Sequence, residues 1–441
     1  MTKHLLLAAT AVFAVSASAQ AEKTVVTADR YLDVGSGRYV EHPAIFVGDN
    51  GRITSIGDAR TVKWGADVRH IDLSGKTLVP GLIDMHVHLD SPADIGGYRG
   101  LEFTDSFFGM TAVGNAKAML DAGFTTVRNV GSAGRNDVGL KQAIDNGYAV
   151  GPRIVPAGFS LGATGGHCDS TFLPPSLEKP KKEEGVADGV EEFRHQVRRQ
   201  RKYGAEVIKV CATGGVFSRN TEPGQQQLSE AELRAIAEEA HQWGLRTAAH
   251  AHGADGIKAA IRGGIDTIEH ASLVDAEGIR LAVARARPVY FSMDIYNTDY
   301  TQAEGAKNGV MPDNLRKDRE IAQIQRDNFR AAHRAGVRMV FGSDAGVMPH
   351  GQAGRQFATM VTYGMTGIEA IQAATRNAAQ ALGREQDVGS IAVGRFGDLV
   401  AVTGDPTRDV SLLARVDAVI KGGKLVERSR AGSAAPPSAA R

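Results

Sequence analysis

After Gly81 the chain changes grammar, and short apolar runs begin to alternate with helical patterns. The runs are Phe124 to Val130, Arg153 to Ala157, Glu206 to Cys211, Arg246 to His250, Asp266 to Ala271, Pro288 to Met293 and Arg338 to Gly342. They follow an opening strand in Leu78-Val79-Pro80-Gly81-Leu82-Ile83-Asp84-Met85-His86-Val87-His88, entered through a Pro-Gly turn, which brings the count to eight. Helices fall between them with recognisable starts. Ser229-Glu230-Ala231-Glu232 is a capping box for a helix ending near Trp243-Gly244, and Thr366-Gly367-Ile368-Glu369 opens another running to Leu382-Gly383. Eight strand-helix units predict an α/β protein built as a (β/α)8 TIM barrel over residues 81–383.

The flanks read differently. From Thr24 to Lys76, short apolar runs separated by turns such as Asp49-Asn50-Gly51 indicate antiparallel β structure. The same pattern returns after Gly383 in Gly389-Ser390-Ile391, Asp398 to Val402 and Ala418 to Lys421, then a Gly422-Gly423 turn before Leu425-Val426. Either end alone is small for a core, so residues 22–80 and 384–428 are expected to pair into one small β-sandwich domain. Residues 429–441 are rich in Ser, Ala and Pro and read as a disordered tail.

Residues 1–21 have the form of a secretory signal peptide: Lys3, an apolar stretch from Leu5 to Val15, then Ala19-Gln20-Ala21. The stretch is short of the roughly 20 residues that span a bilayer. The expectation is a secreted or periplasmic protein that starts near Glu22 and has no membrane insertion in its mature form. Two cysteines, Cys168 and Cys211, exclude a disulfide framework and leave open whether they form a single bridge. Lys+Arg 51 against Asp+Glu 50, a net charge of +1, offers nothing to attract nucleic acid. A small-molecule substrate is the default.

His86 and His88 stand two residues apart in a strand, so both aim to one face, as imidazoles must when they share a metal. An unrelated pair of histidines is the alternative. Further candidates lie at strand ends: Lys209 in Val207-Ile208-Lys209-Val210-Cys211, His250, His270, and Asp344 after Phe341-Gly342-Ser343. A barrel gathers such residues at its C-terminal face. Lys209 is the informative one. An ammonium has no lone pair for a metal and is costly in an apolar strand. Carboxylation by carbon dioxide would turn it into an anion able to bridge two ions; pairing with an acid such as Glu206 or Asp344 is the plainer reading.

The chain resembles the amidohydrolase superfamily, and in particular its binuclear branch of Xaa-Pro dipeptidases, carboxypeptidases and ochratoxin-degrading amidases. The resemblance rests on Gly81 to His88, Ile208-Lys209-Val210 with Gly214-Gly215, Ala249-His250-Ala251-His252-Gly253, Ile268-Glu269-His270, Gly342-Ser343-Asp344 and Ala374-Thr375-Arg376-Asn377-Ala378-Ala379. It implies two divalent metal ions, with zinc suited to such N/O ligands and manganese or cobalt not excluded. His86, His88 and Asp344 would hold one, His250 and His270 the other, and N6-carboxylated Lys209 would bridge them. The implied reaction is hydrolysis of the amide bond of dipeptides or N-acyl amino acids, including ochratoxin A, by a metal-bridging hydroxide, with Asp344 moving the proton. A homo-oligomer is also implied. A lactonase or deaminase of the same superfamily is the alternative reaction, and a non-catalytic scaffold the alternative from another class.

Around this set, His252 is expected to act on the substrate carbonyl, although it stands where dipeptidase-like relatives often carry tyrosine. His167 matches a position that contacts substrate. Arg219 is a candidate partner for a substrate carboxylate or else a solvated loop charge, and Tyr296 is a candidate of the same sort. Cys211 reads as a buried inert thiol, and Glu269 as a structural contact behind the barrel. No chemistry is assigned to Arg128 or Asn129. The charged insert Pro174 to Gly185 reads equally as a lid or a solvated loop.

Overall fold

The computed structural model describes residues 22–177 and 184–427. The expected signal peptide, the expected tail from 429 and half of the charged insert, residues 178–183, therefore lie outside the described residues.

The N-terminal segment forms β1 (Glu22–Asp33), β2 (Arg38–Glu41), β3 (Pro43–Gly48), β4 (Ile53–Asp58) and β5 (Arg69–Pro80). The barrel strands follow as β6 (Leu82–Val87), β7 (Phe124–Asn129), β8 (Arg153–Pro156), β9 (Val207–Cys211), β10 (Arg246–Ala251), β11 (Thr267–His270), β12 (Tyr290–Ser292) and β13 (Arg338–Val340). The C-terminal segment adds β14 (Leu399–Val402), β15 (Ala418–Lys421) and β16 (Lys424–Leu425). Both chain ends enter one eight-stranded sheet in the order β16-β15-β14-β5-β1-β3-β4, with β2 beside β1.

Two sequence expectations fail in this sheet. The N-terminal segment is not wholly antiparallel, because β1 and β5 pair in parallel from Thr24↔Arg69 to Tyr31↔Leu78. A parallel pair needs a crossover, and β2 to β4 supply it. Gly389-Ser390-Ile391 forms no strand. Ile391 instead packs with Val26, Ile45, Leu78 and Leu399 in the core of the sheet. Alternation along β14 is clean: Leu399 and Ala401 face that core, whereas Val400 and Val402 face the barrel side.

Leu78 to Pro80 belong to β5, so the opening barrel strand starts at Leu82. Gly81 is the joint. Its N–H donates to Asp398 O, and a Cβ there would collide with Thr125. The barrel strands are all parallel, in a three-stranded sheet β6-β7-β8 and a five-stranded sheet from β9 to β13. Backbone hydrogen bonds cross both gaps between them. Glu206 N–H donates to Pro156 O, Leu161 N–H to Lys209 O, Met85 N–H to Phe341 O and Asp344 N–H to His86 O.

Helices α1 (Asp105–Asp121), α2 (Asn136–Asp145), α3 (Val190–Lys202), α4 (Glu230–Gln242), α5 (Ala254–Gly263) and α6 (Ala276–Ala284) follow successive strands. α7 (Asn297–Glu304) and α8 (Pro312–Arg334) lie between β12 and β13, and α9 (Gln356–Thr362), α10 (Gly367–Ala373) and α11 (Arg376–Leu382) follow β13. Both expected capping boxes are present, Ser229 with Glu232 and Thr366 with Glu369. The helix expected from Thr366 to Leu382 is broken in two at Thr375 (φ −138°, ψ −98°). The carbonyls of Ala373 and Ala374 accept from Phe341 N–H and Ile83 N–H. Those oxygens serve the barrel strands, and the helix is interrupted beside them.

Candidate metal centre

Every residue of the expected ligand set lies at the C-terminal face of the barrel, around a cavity of about 540 Å³ lined by His86, His88, Lys209, His250, His270 and Asp344. Two threesomes have ligand atoms within 4.8 Å of one another: His86, His270 and Asp344, and His250, His252 and His270. His88 joins the first through its Nε2, 3.5 Å from Asp344 Oδ1, with His86 Nε2 at 3.3 Å.

Alternation explains part of the arrangement. On β9, Ile208 and Val210 pack toward the helices, which leaves Lys209 and Cys211 facing inward. On β11, Ile268 packs outward and Thr267 and Glu269 face inward. By the same rule His270 would point out. It reaches the cavity because the chain turns there: His270 has φ 69°, Ala271 has φ 47°, and Ala271 N–H donates back to Glu269 O. Asp344, at φ 55°, is held in the same left-handed region.

The imidazoles are fixed through their second nitrogens. His86 Nδ1 donates to Glu269 Oε2 (3.1 Å), His88 Nδ1 to Gly131 O (3.1 Å) and His270 Nδ1 to Asp294 Oδ1 (2.9 Å). His250 is held by the opposite nitrogen, Nε2, on Gly214 O (3.1 Å). His252 Nδ1 shares a hydrogen bond with Ser272 Oγ and His167 Nδ1 one with Ser218 Oγ, both 2.8 Å. In each ring one nitrogen is tied down and the other remains for a ligand, which is how metal-binding histidines are oriented.

Burial, reinforced by the charge of Lys209, pushes His86 well below its ordinary pKa and His88 down to about 3. Burial does the same to His250 and His252, and takes His167 to about 3. Neutral imidazoles keep the lone pairs a metal needs. His270 differs: burial opposes its charge, but the Asp294 carboxylate overrides this and raises it. Lys209 is 3% exposed, and burial lowers it to about 8. Among the described residues its Nζ forms no hydrogen bond or ion pair. The plainer reading, a lysine paired with Glu206 or Asp344, has no direct contact behind it, although the charges of Glu269 and Asp344 act on the amine from a distance. Glu206 pairs with Arg384 and Lys141, and Asp344 faces the histidines. The imidazole and carboxylate groups gathered around this buried amine are donors of the kind that could hold a divalent metal.

Two expected residues are placed elsewhere, and a third is in a different chemical state. Arg219 does not line the cavity; it is exposed, and its guanidinium donates to the Tyr98 hydroxyl (3.3 Å). Tyr296 packs against the core with its hydroxyl accepting from Arg355, also outside the lining. Cys211 is not a free thiol but is bonded to Cys168, with Cα atoms 5.8 Å apart. The bridge ties the loop that carries His167 to the strand that carries Lys209. His167 itself stands over His250, ring centroids 4.1 Å apart, and a Cβ on Gly215 would strike its ring. That contact gives a physical reason for Gly214-Gly215.

Glu269 is not behind the barrel. It is fully buried inside, between His86 and the guanidinium of Arg128, which donates to its Oε1 (2.6 Å). Although burial works against its charge, Arg128 and His86 hold the carboxyl well below the usual range. Arg128 also donates to Met85 O (2.6 Å), so this residue, to which the sequence assigned no chemistry, braces the strand of the first two histidines. The alternation of polar Thr267 and Glu269 around apolar Ile268 was the signal that could have placed Glu269 inside. Asp294 was missed as well. It holds His270 and, through Asn297 Nδ2 (2.6 Å to Asp294 Oδ2, 3.3 Å to Asp344 Oδ2), connects to Asp344. Asn129 braces the loop backbone, accepting from Leu89 N–H and donating to Gly131 O.

Residues 77–426 match the profile of the Amidohydrolase family. The chain is 32% identical over 368 residues to ochratoxinase of Aspergillus niger, covering 79% of this chain and 75% of that protein. Its fold superimposes on the crystal structure of a Xaa-Pro dipeptidase with bound methionine in the active site with a TM-score of 0.84, at 34% identity over 92% of this chain and 99% of that one. The crystal structure of A. niger ochratoxinase gives a TM-score of 0.80 at 29% identity, covering 93% and 96%.

Proposed function

Because the chain belongs to the amidohydrolase family, whose fold is the TIM barrel, we propose that this hydrolase of amide bonds cleaves dipeptides or N-acyl amino acids and releases their C-terminal amino acid. Acylated phenylalanines such as ochratoxin A fall within that class, in keeping with the ochratoxinase and dipeptidase relatives. The observation that carries the reading is the partnerless, buried Lys209 amine among His86, His88, His250, His270 and Asp344.

His86, His88 and Asp344 would hold one divalent cation and His250 and His270 a second, zinc being suited to these donors, with carboxylated Lys209 between them. When bound, such ions supply Lewis acidity, lowering the pKa of water and polarising a carbonyl. Asp344 takes the proton of the attacking water and passes it to the departing amine. His252, fixed on Ser272, offers its Nε2 to the substrate carbonyl oxygen, and His167, fixed on Ser218, offers Nε2 from the facing wall. The seams between the two parallel sheets support one closed barrel over 81–383, with 22–80 and 384–428 as a composite β domain. The Cys168–Cys211 bridge supports an oxidising, secreted or periplasmic location.

Metal content per chain tests this, measured by mass spectrometry on wild type and Lys209→Ala purified with zinc and bicarbonate. Two equivalents in the wild type, with occupancy and dipeptide hydrolysis lost together in the variant, are expected. One ion in the wild type and an unchanged variant would make Lys209 structural and overturn the bridged reading.

A further inference from the structure

The cavity has a second wall that carries none of the expected metal ligands. α8 presents Asn314, Asp318, Ile321, Ala322 and Gln325 to it, positions spaced three or four apart and so on one helical face. Asp318 is only 6% exposed. Its Oδ2 accepts from Thr298 Oγ1 (2.7 Å) and Gln302 Nε2 (2.6 Å), two neutral donors. Among the described residues nothing bonds its Oδ1, and no cation pairs with it. The cations nearby are occupied: Arg326 donates to Ile295 O and Asp299, and Lys317 to Ser218 O and Asp313.

The other carboxylates of the wall are engaged, Asp294 with His270, Asn297 and Gln325, and Asp344 with the histidines and Asn297. Among the described residues Lys209 is the one ammonium in the lining, and no arginine lines it. A buried carboxylate without a cation is costly unless a ligand brings the positive charge. Val310, Met311 and Ile321 in the same lining add apolar surface, which strengthens such a pairing by lowering the local dielectric.

We infer that Asp318 is a specificity residue that receives an ammonium group of the substrate. Resting on the amide-hydrolase reading, this sorts the substrate class: a dipeptide with a free amine, or an acylated amino acid with a basic side chain, is preferred over its uncharged counterpart. The two sources of the ammonium are separated by two matched pairs, leucyl-methionine against N-acetyl-leucyl-methionine, and hippuryl-lysine against hippuryl-norleucine. The wild type should favour the charged member of one pair by about tenfold or more in kcat/KM. Asp318→Asn should abolish that preference while leaving the uncharged member's rate and the metal content unchanged. A variant that slows both members alike overturns the inference, as does a wild type that prefers the uncharged member of both pairs.

Calorimetry with isopentylamine and neutral isopentanol tests the same site without turnover. The amine should bind at least about tenfold more weakly to Asp318→Asn than to wild type, with the alcohol unaffected. Equal amine binding by both proteins overturns the inference whatever the enzyme hydrolyses. Loss of hydrolysis across every substrate, with amine binding still dependent on Asp318, would instead defeat the amide-hydrolase reading alone.

Discussion

The two halves of the barrel are built from the same strands and do opposite things. Ile83, Val207 and Tyr290, near the N-terminal ends of their strands, join Met85, Val155, Val340 and, from α11, Ala378 and Leu382 in a buried apolar layer. Toward the C-terminal ends, those strands and the loops after them carry the imidazoles of His86, His88, His167, His250, His252 and His270, Lys209 and the carboxylates Glu269, Asp294 and Asp344, nearly all buried. The apolar layer gains free energy at roughly 25 cal/mol per Å² buried. The polar layer must offset the desolvation of its charges, and it contains three residues, His270, Ala271 and Asp344, in left-handed conformations that cost about 1–3 kcal/mol each. The lower half thus stabilises a scaffold on which the upper half can be held in a state it would not adopt alone.

That contrast can be broken at several points. Asp344→Asn should cut amide hydrolysis by about a hundredfold to ten thousandfold with little change in melting temperature, because it removes a proton carrier from the upper layer and nothing from the lower. A variant with near-normal turnover would reduce Asp344 to a ligand. Ile83→Ala, in the lower layer, should act the other way. A loss of about 2–5 kcal/mol in chemical denaturation is expected, with metal stoichiometry and kcat preserved in the fraction that remains folded. If the metal content falls instead, the two halves are not separable.

Glu269→Gln probes the boundary between them. It keeps the shape but removes the charge that His86 and Arg128 share, and should weaken metal affinity by about ten- to a hundredfold in a chelator competition. Unchanged affinity would mean that Arg128, not Glu269, positions the strand. Arg219→Ala should be the mildest, within about 0.5 kcal/mol in stability and about twofold in kcat/KM, since its side chain sits outside the cavity against Tyr98. A large rise in KM for substrates with a free carboxylate would return it to the site.

Much of the scaffold was legible because its signals are local. Period-two and helical patterns, capping boxes and Gly-rich turns act over a few residues, and the barrel strands appear within a residue or two of where those patterns put them. The misreadings have specific causes. Leu78 to Pro80 look like the start of the first barrel strand because apolar character does not say which sheet a strand joins. The helix from Thr366 is broken because its carbonyls are taken by Ile83 and Phe341, residues of the barrel. Arg219 and Tyr296 were placed by chain proximity to strand ends, which fixes the loop but not the direction of a side chain within it.

By itself the sequence determined the strand and helix alternation, the pairing of the two chain ends, and the positions of His86, His88, Lys209, His250, His270 and Asp344 at strand ends. Only the tertiary structure decided how those groups are held: which nitrogen of each ring is tied down, that Cys168 meets Cys211, that Asp318 is buried without a cation, and that Glu269 lies between Arg128 and His86. The physical reason is distance along the chain. His86 and Glu269 are 183 residues apart, and no local propensity acts over such a separation; they meet because parallel strands bring remote segments side by side, and the low-dielectric interior then makes their pairing decisive.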